Sequence, residues 1–329
     1  MKYLVTGGAG FIGSHLTDVL AARGDEVVVL DDLSTGRLQN LDSALDSGLV
    51  EFVEGSVTDE PLVRDCMSSA DIVIHLAAAV GVKLIVDRPV DSMLRNVRGN
   101  DIVISTAAEL DRKLLYASTS EIYGKNGRGP LTEESERILG SPATTRWSYS
   151  TSKAFGEVLA FGYHRESGAE NIIVRLFNTV GPRQAGQYGM VLPRFVRQAL
   201  SGDELTVYGD GTQSRCFLHV NDTVRALLTL LECSPAVGQA FNVGSTEEIG
   251  ILELAERVIA RTGSSSEIRF VPLEEAYEPG FEEVSHRCPN TTLLRTTTGW
   301  NPRYTVDEAI EDVIAYQTGA LAGQVAVAR

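Results

Sequence analysis

The chain has 329 residues, 43% hydrophobic and 22% charged, an ordinary globular composition and enough length for one α/β domain with a smaller companion. Its formal net charge of −15 argues against nucleic-acid binding, which needs a basic face to displace counterions. No apolar stretch has the length of a membrane span and the chain opens directly on a strand without a signal peptide, so no membrane partner and a cytoplasmic location are expected.

In chain order, strands are expected at residues 2–5, 26–30, 50–53, 71–75, 114–117 and 171–175. Helices are expected at 11–23, 60–68, 91–110 and 147–167. This alternation predicts an α/β fold, a doubly wound parallel sheet of Rossmann type whose ligands lie beyond the carboxyl ends of the strands. The second half is less regular. Helices at 189–202, 221–232, 251–262 and 305–316 and a strand at 205–208 predict a smaller C-terminal α/β lobe over the strand ends. The polar stretch 273–290 reads as a loop and the tail from 319 as a frayed end. The predicted division is 1–177 for the sheet domain, 178–320 mainly for the smaller lobe with some chain returning to the sheet, and 321–329 for the tail.

The first turn reads Thr6-Gly7-Gly8-Ala9-Gly10-Phe11-Ile12-Gly13 between a strand and a helix. Gly7 permits a tight turn, Gly10 lets the backbone approach a pyrophosphate, and Gly13 lets helix and strand pack closely, with the helix N-terminus facing the anion. An ordinary strand–helix turn would use the same glycines. The second strand, however, ends in Asp31-Asp32, and Asp31 is placed to accept from a ribose 2′-hydroxyl and to repel a 2′-phosphate. Dinucleotide binding, with NAD rather than NADP, is the expectation. Cys66, Cys216, Cys233 and Cys288 show no CxxC spacing and the histidines no paired spacing, so reduced thiols and no metal are expected.

Tyr149 and Lys153 stand one helical turn apart, which puts a phenol and an ammonium on one face. A free phenol titrates near 10, roughly, and a fixed cation beside it would lower that value and make it a usable base for a sugar hydroxyl. Ser118-Thr119-Ser120-Glu121-Ile122-Tyr123-Gly124 follows a central strand. Its hydroxyls could simply cap a helix, or they could stand beside a nicotinamide within reach of the Tyr149 helix.

These pieces, with His75-Leu76-Ala77-Ala78 and Arg175-Leu176-Phe177-Asn178, resemble the extended short-chain dehydrogenase/reductase family acting on nucleotide sugars. The resemblance implies a bound NAD, a nucleotide sugar in the C-terminal lobe and a homodimer. It carries the family's tyrosine and lysine over to Tyr149 and Lys153, and its Ser/Thr position to Thr119 or Ser120. The cofactor site is expected from Gly7, Gly10, Phe11, Ile12, Gly13, Asp31, Asp32, Val57, Leu76, Ala77 and Ala78, with Tyr149 and Lys153. Ser56-Val57 departs from the family's adenine-contacting aspartate. The family's dehydratases carry an Asp-Glu pair where this chain has Ser120-Glu121. Thr119-Ser120-Glu121-Ile122-Tyr123-Gly124, Arg146-Trp147-Ser148-Tyr149, Arg215-Cys216-Phe217 and the stretch 280–287 are similar to UDP-glucuronate decarboxylases. This implies that Glu121 and Arg215 act at the substrate carboxylate and C5.

C4 oxidation would make a β-keto acid, and loss of carbon dioxide would give UDP-xylose or a UDP-4-keto-pentose. A 4-epimerase acting on UDP-glucose or UDP-glucuronate shares every residue of the oxidation step. A non-catalytic NAD-binding regulator is a third reading. The sugar site is expected from Asn178, Arg183, Tyr208, Arg215 and Arg287, with arginines converging locally against the acidic global field. Arg183 could instead be a surface turn residue, Arg287 could pair with Glu282 and Glu283, and Lys83 and Arg88 could be solvated charges. Trp147 reads as packing.

Overall fold

The structure, a computed structural model, describes residues 1–80, 88–186, 190–276 and 286–327. Its centre is a parallel seven-stranded sheet. The strands are β1 (Lys2–Thr6), β2 (Glu26–Asp31), β3 (Val50–Glu54), β4 (Ile72–His75), β5 (Lys113–Thr119), β6 (Asn171–Leu176) and, from the second half of the chain, β11 (Ala240–Val243). Their spatial order is β11-β6-β5-β4-β1-β2-β3. The chain leaves β3 at one edge and returns beside β1 as β4. The order therefore reverses between β1 and β4, and a crevice opens there at the carboxyl ends.

The strands read as near-continuous apolar runs because both faces are covered. Side chains alternate between faces. Tyr3, Val5, Val27, Val29, Ile72, Ile74, Leu115 and Val174 pack on one side with Leu16 and Leu20 of α1 (Phe11–Ala22) and Leu227 of α6 (Val220–Leu231). Leu4, Val28, Leu30, Val73, Leu114, Tyr116 and Ile173 pack on the other. There they meet Val63 and Met67 of α2 (Glu60–Ser68), Val103 and Ile104 of α3 (Pro89–Glu109), and Ala160 of α4 (Trp147–Ser167).

The remaining elements are β7 (Thr179–Val180), α5 (Val191–Ser201), β8 (Leu205–Tyr208), β9 (Ser214–Cys216), β10 (Leu218–His219), β12 (Glu248–Gly250), α7 (Ile251–Thr262), β13 (Ile268–Val271), α8 (Thr292–Thr298) and α9 (Val306–Val327). β7 pairs with β10 and β8 with β13 in parallel, and β9 with β12 antiparallel. A separate core of Leu192, Phe195, Val207, Phe217, Leu254, Val258 and Ile310 holds most of these pieces together, while Leu218 of β10 and Leu294 of α8 join the first face of the sheet.

Two expectations change. The stretch expected as a loop from 273 begins with a helical turn, Leu273–Ala276, whose Glu275 amide donates to the Pro272 carbonyl at 3.1 Å. The tail expected to fray from 319 continues α9 as far as Val327; its alanines, Leu321 and Gln324 are good helix formers and outweigh Gly319 and Gly323. The expected loop residues 277–285 and Lys83 lie outside the described residues. Among the described residues, no helix is long and apolar enough to cross a membrane, and no group of His, Cys, Asp or Glu is arranged to hold a metal ion.

Candidate active site

A cavity of about 670 Å³ opens at the carboxyl ends of β1, β4, β5 and β6 and is lined on its other side by residues of the second half. Gly7, Gly10, Phe11, Ile12 and Gly13 line one end. Gly7 has φ +73°, and a Cβ there would stand 2.7 Å from the Ala77 amide nitrogen; a Cβ on Gly13 would overlap the Gly7 carbonyl oxygen. The turn thus leaves no room for side chains, and α1 starts with no side-chain cap on its N-terminus. Uncapped amides at a helix start with bare backbone around them suit a pyrophosphate.

Asp31 is buried at the end of β2 and accepts from the Ala9 amide at 3.0 Å and the Leu33 amide at 2.9 Å. Burial pushes its carboxyl above the ordinary range while these amides pull it back. It lines the cavity with Asp32, Val57, Leu76, Ala77 and Ala78. Asp32 is drawn outward, accepting from the Ser34 amide at 3.0 Å and from Arg95 at 3.4 Å. Ser56, at the family's aspartate position, hydrogen-bonds Thr58 at 2.8 Å, and both line the cavity. The bare glycine cradle and the buried carboxylate fit a dinucleotide with a free 2′-hydroxyl. Asn96 was not anticipated. It accepts from the Ala79 amide at 2.8 Å and donates to the Ala79 carbonyl at 3.0 Å, fixing the loop after β4 from α3.

Tyr149, Lys153, Thr119, Ser120 and Glu121 meet on the same cavity wall. Lys153 is 2% exposed and donates from Nζ to the Ala117 carbonyl at 2.8 Å, over the Tyr116 ring. Burial draws its ammonium down to about 7, against the pull of Glu157. The expectation of a phenol lowered by this lysine needs correction. Burial pushes the Tyr149 phenol above its ordinary value, and the nearby Glu121 charge adds to the rise. A hydrogen bond with Thr119 opposes them, and Lys153 is not among the causes. The spacing puts both residues on one face, but the β5 carbonyl decides where the ammonium goes.

Glu121 is the centre of an arginine cluster. It pairs with Arg287 Nη1 and, at 3.4 Å, with Arg146 Nη2. Burial pushes its carboxyl up, but Arg287, Arg146 and Arg215 outweigh this and hold it down at about 2. Arg287, 6% exposed, has no hydrogen-bond partner at Nε or Nη2 among the described residues, and it lines the cavity. Of the two readings for Arg287, its described ion pair is with Glu121, while Glu282 and Glu283 lie outside the described residues. Arg215 donates to the Ser214 carbonyl at 2.7 Å and lines the same wall.

Asn178 and Tyr208 also line the cavity. Asn178 Nδ2 lies 3.5 Å from the Cys216 carbonyl, and Tyr208 stacks under Arg194, whose guanidinium is 4.1 Å from the ring centre. Arg183 does not line it. It sits at φ +67° and pairs with Asp18 of α1 at 2.7 Å, while its neighbour Gln184 faces the cavity. Arg88 is on the lining and Trp147 is packed at 2% exposure.

A reversed parallel sheet, a glycine cradle and a Tyr–Lys helix beside a strand-end Thr-Ser define an extended short-chain dehydrogenase/reductase architecture. The chain belongs to the NAD dependent epimerase/dehydratase family, which it matches over residues 3–244. It is 37% identical to a UDP-N-acetyl-alpha-D-glucosaminuronate decarboxylase of Bacillus cytotoxicus, covering 96% of this chain and 97% of that one. It is 34% identical to UDP-glucuronic acid decarboxylase 1 of Xenopus tropicalis, over 96% of this chain and 72% of the relative. Among solved structures it is similar to the UDP-glucose 4-epimerase of Thermotoga maritima with UDP-glucose. That match has TM-score 0.87 and 29% identity, covering 98% and 100% of the two chains. It is also similar to DesIV, a dTDP-glucose 4,6-dehydratase of Streptomyces venezuelae with NAD bound, with TM-score 0.87 and 28% identity over 97% of each chain.

Proposed function

We propose that this protein decarboxylates UDP-glucuronate in an NAD-dependent reaction through a 4-keto intermediate. The observation that carries the reading is the half-buried cluster of Arg146, Arg287 and Arg215 around Glu121, next to Tyr149 and Ser120. A sugar carrying a C6 carboxylate needs guanidinium donors in a low-dielectric site, and Arg287 has two donor nitrogens to offer. A neutral C6 hydroxymethyl group gives them no counter-charge. The named decarboxylase relatives support the same choice.

Bound NAD supplies the hydride acceptor for C4 and returns the hydride to it. Gly10 to Gly13 and Asp31 would hold its pyrophosphate and ribose, with Tyr149 and Lys153 at its nicotinamide end. Tyr149 removes the C4 hydroxyl proton, with Thr119 hydrogen-bonded to its oxygen. The product is a β-keto acid, because the carboxylate hangs on C5. Loss of carbon dioxide leaves an enolate across C4, C5 and the C4 oxygen. Ser120 and the reprotonated Tyr149 donate to that oxygen. The C6 carboxylate enters beside Glu121, whose negative charge destabilises it and favours its departure as neutral carbon dioxide. Arg287 and Arg146 hold Glu121 ionised, and Arg215 would hold a phosphate, orient the carboxylate or help deliver a proton to C5. Asn178 and Tyr208 are proposed for the nucleotide-sugar side of the cavity, and return of the hydride would give UDP-xylose.

A second substrate carries the same chemistry. The 37% identical relative is named for UDP-N-acetylglucosaminuronate, which differs from UDP-glucuronate at C2 and keeps the carboxylate. Both sugars, each with catalytic NAD and followed by mass analysis of the product, test the reading. Loss of the mass of carbon dioxide from either supports decarboxylation, and the faster of the two names the substrate. Unchanged mass with inverted C4 would instead make the protein an epimerase. No turnover of any nucleotide sugar despite tight NAD binding would make it a regulator.

We also infer a cytosolic homodimer. α3 and α4 leave Val90, Leu94, Phe155 and Val158 on the surface, with Val90 at 70% and Val158 at 67% exposure. An apolar stripe on two adjoining helices is suited to a second copy of the same face.

A further inference from the structure

Lys153 is enclosed in the protein, where burial works against its charge. The groups around it come from every neighbouring element. On its own helix, Tyr149 stands one turn before it and Glu157 one turn after. On β5, the Tyr116 ring and the Ala117 carbonyl face it, and the Ser118 hydroxyl goes to Glu157. On β4, His75 is held neutral, at about 3, by burial and by the lysine's own charge. It bonds Thr6 at 2.7 Å and Asn100 of α3 at 3.2 Å. On β6 stands Arg175, and Glu121 faces Tyr149 from the strand-end turn. Among the described residues, Glu157 is the anion whose charge supports the ammonium.

Glu157 is itself held from three sides. It is 5% exposed and accepts from Ser118 Oγ at 2.5 Å, from Arg175 Nε at 3.0 Å and from Arg175 Nη2 at 2.8 Å. Arg175 uses Nη1 for the Tyr123 hydroxyl at 2.9 Å and the Glu133 carbonyl at 2.7 Å. Ser118 directly follows Ala117, whose carbonyl receives the lysine. A buried ion pair gains little stability over well-packed apolar residues of the same volume, so its presence here calls for another reason. A fixed negative charge one turn from a buried lysine supplies that reason.

We propose that Glu157 is a positioning residue of the reaction: anchored by Ser118 and Arg175, it keeps Lys153 charged and seated on the Ala117 carbonyl beside Tyr149. This rests on the reading that Tyr149 and Lys153 carry out C4 oxidation, and the experiment separates the two. Protein labelled with ¹³C at the lysine ε-carbons is titrated with NAD absent, and the Lys153 signal is assigned by its loss in Lys153→Met. The comparison is between the native chain, Glu157→Gln, and the double variant Glu157→Leu with Arg175→Leu, which removes both charges and leaves no orphan arginine if the single variant does not fold.

The Lys153 midpoint is expected to fall by about one pH unit or more in both variants, a shift typical of losing a nearby opposite charge. The alkaline limb of C4 oxidation should move down with it, because the reaction needs the protonated lysine. A midpoint and pH profile that stay native in the double variant would overturn the proposal and leave Glu157 as a packing ion pair. If the midpoint falls but the native enzyme oxidises no nucleotide sugar at any pH, the electrostatic role of Glu157 stands and the proposed function fails.

Discussion

At the scale of single residues, the site depends on which groups stay charged once enclosed. Tyr149 meets two influences that keep its proton on, burial and Glu121, and one hydrogen bond that favours its loss. A usable base therefore needs positive charge beside the phenol, which a bound oxidised nicotinamide would supply. Tyr149→Phe removes the oxygen and little else. It should keep its NAD content and lose on the order of 10²–10⁴ in kcat for C4 oxidation, as followed by NADH formation in a single turnover. Retained turnover would remove the tyrosine from its role. Glu121→Gln takes the central anion from between Arg287 and Arg146. It should slow carbon dioxide release more than C4 oxidation, measured side by side as released carbon dioxide and as NADH. Equal slowing of both steps would sever Glu121 from the carboxylate.

At the scale of elements, the strands of the first half were legible because each is an apolar run closed by a turn. The strand expected at 114–117 is observed as Lys113–Thr119, and the helix expected at 147–167 as Trp147–Ser167. β11 was not legible. Ala240-Phe241-Asn242-Val243 is four residues long with a polar centre. Its place at the sheet edge comes from Asn242, which accepts from Tyr123 at 2.7 Å and donates to the Leu131 carbonyl at 2.8 Å, contacts made across more than a hundred residues.

The same holds where the C-terminal chain docks. Asp222 in the first turn of α6 is fully buried and accepts from the Arg303 amide at 2.7 Å and the Tyr304 amide at 2.9 Å, and it pairs with Arg225. Asp222→Ala leaves those amides without partners and should cost about 1–3 kcal/mol, read as a lower urea midpoint with an unchanged slope. A change within experimental error would show that water replaces the carboxylate there.

At the scale of the whole molecule, the acidic chain concentrates its useful arginines inward. Arg146, Arg287 and Arg215 converge on one wall, and their field opposes the net charge of −15 where an anionic substrate would enter. The outer faces of α3 and α4 carry Val90, Leu94, Phe155 and Val158 instead. Val158→Lys should convert a dimer into a monomer, as measured by sedimentation equilibrium. A dimer mass that survives this change would place the interface elsewhere.

The amino-acid sequence by itself determined six of the seven sheet strands, the glycine cradle, Asp31 at the end of the second strand and the Tyr149–Lys153 pair, because each rests on local spacing and short turns. Tertiary structure alone decided the destination of each charge. Arg287 reaches Glu121 across 166 positions of chain, Arg183 turns to Asp18, and Lys153 takes the Ala117 carbonyl. Long flexible side chains choose among partners by what folding places within reach, and spacing along a chain does not encode that choice.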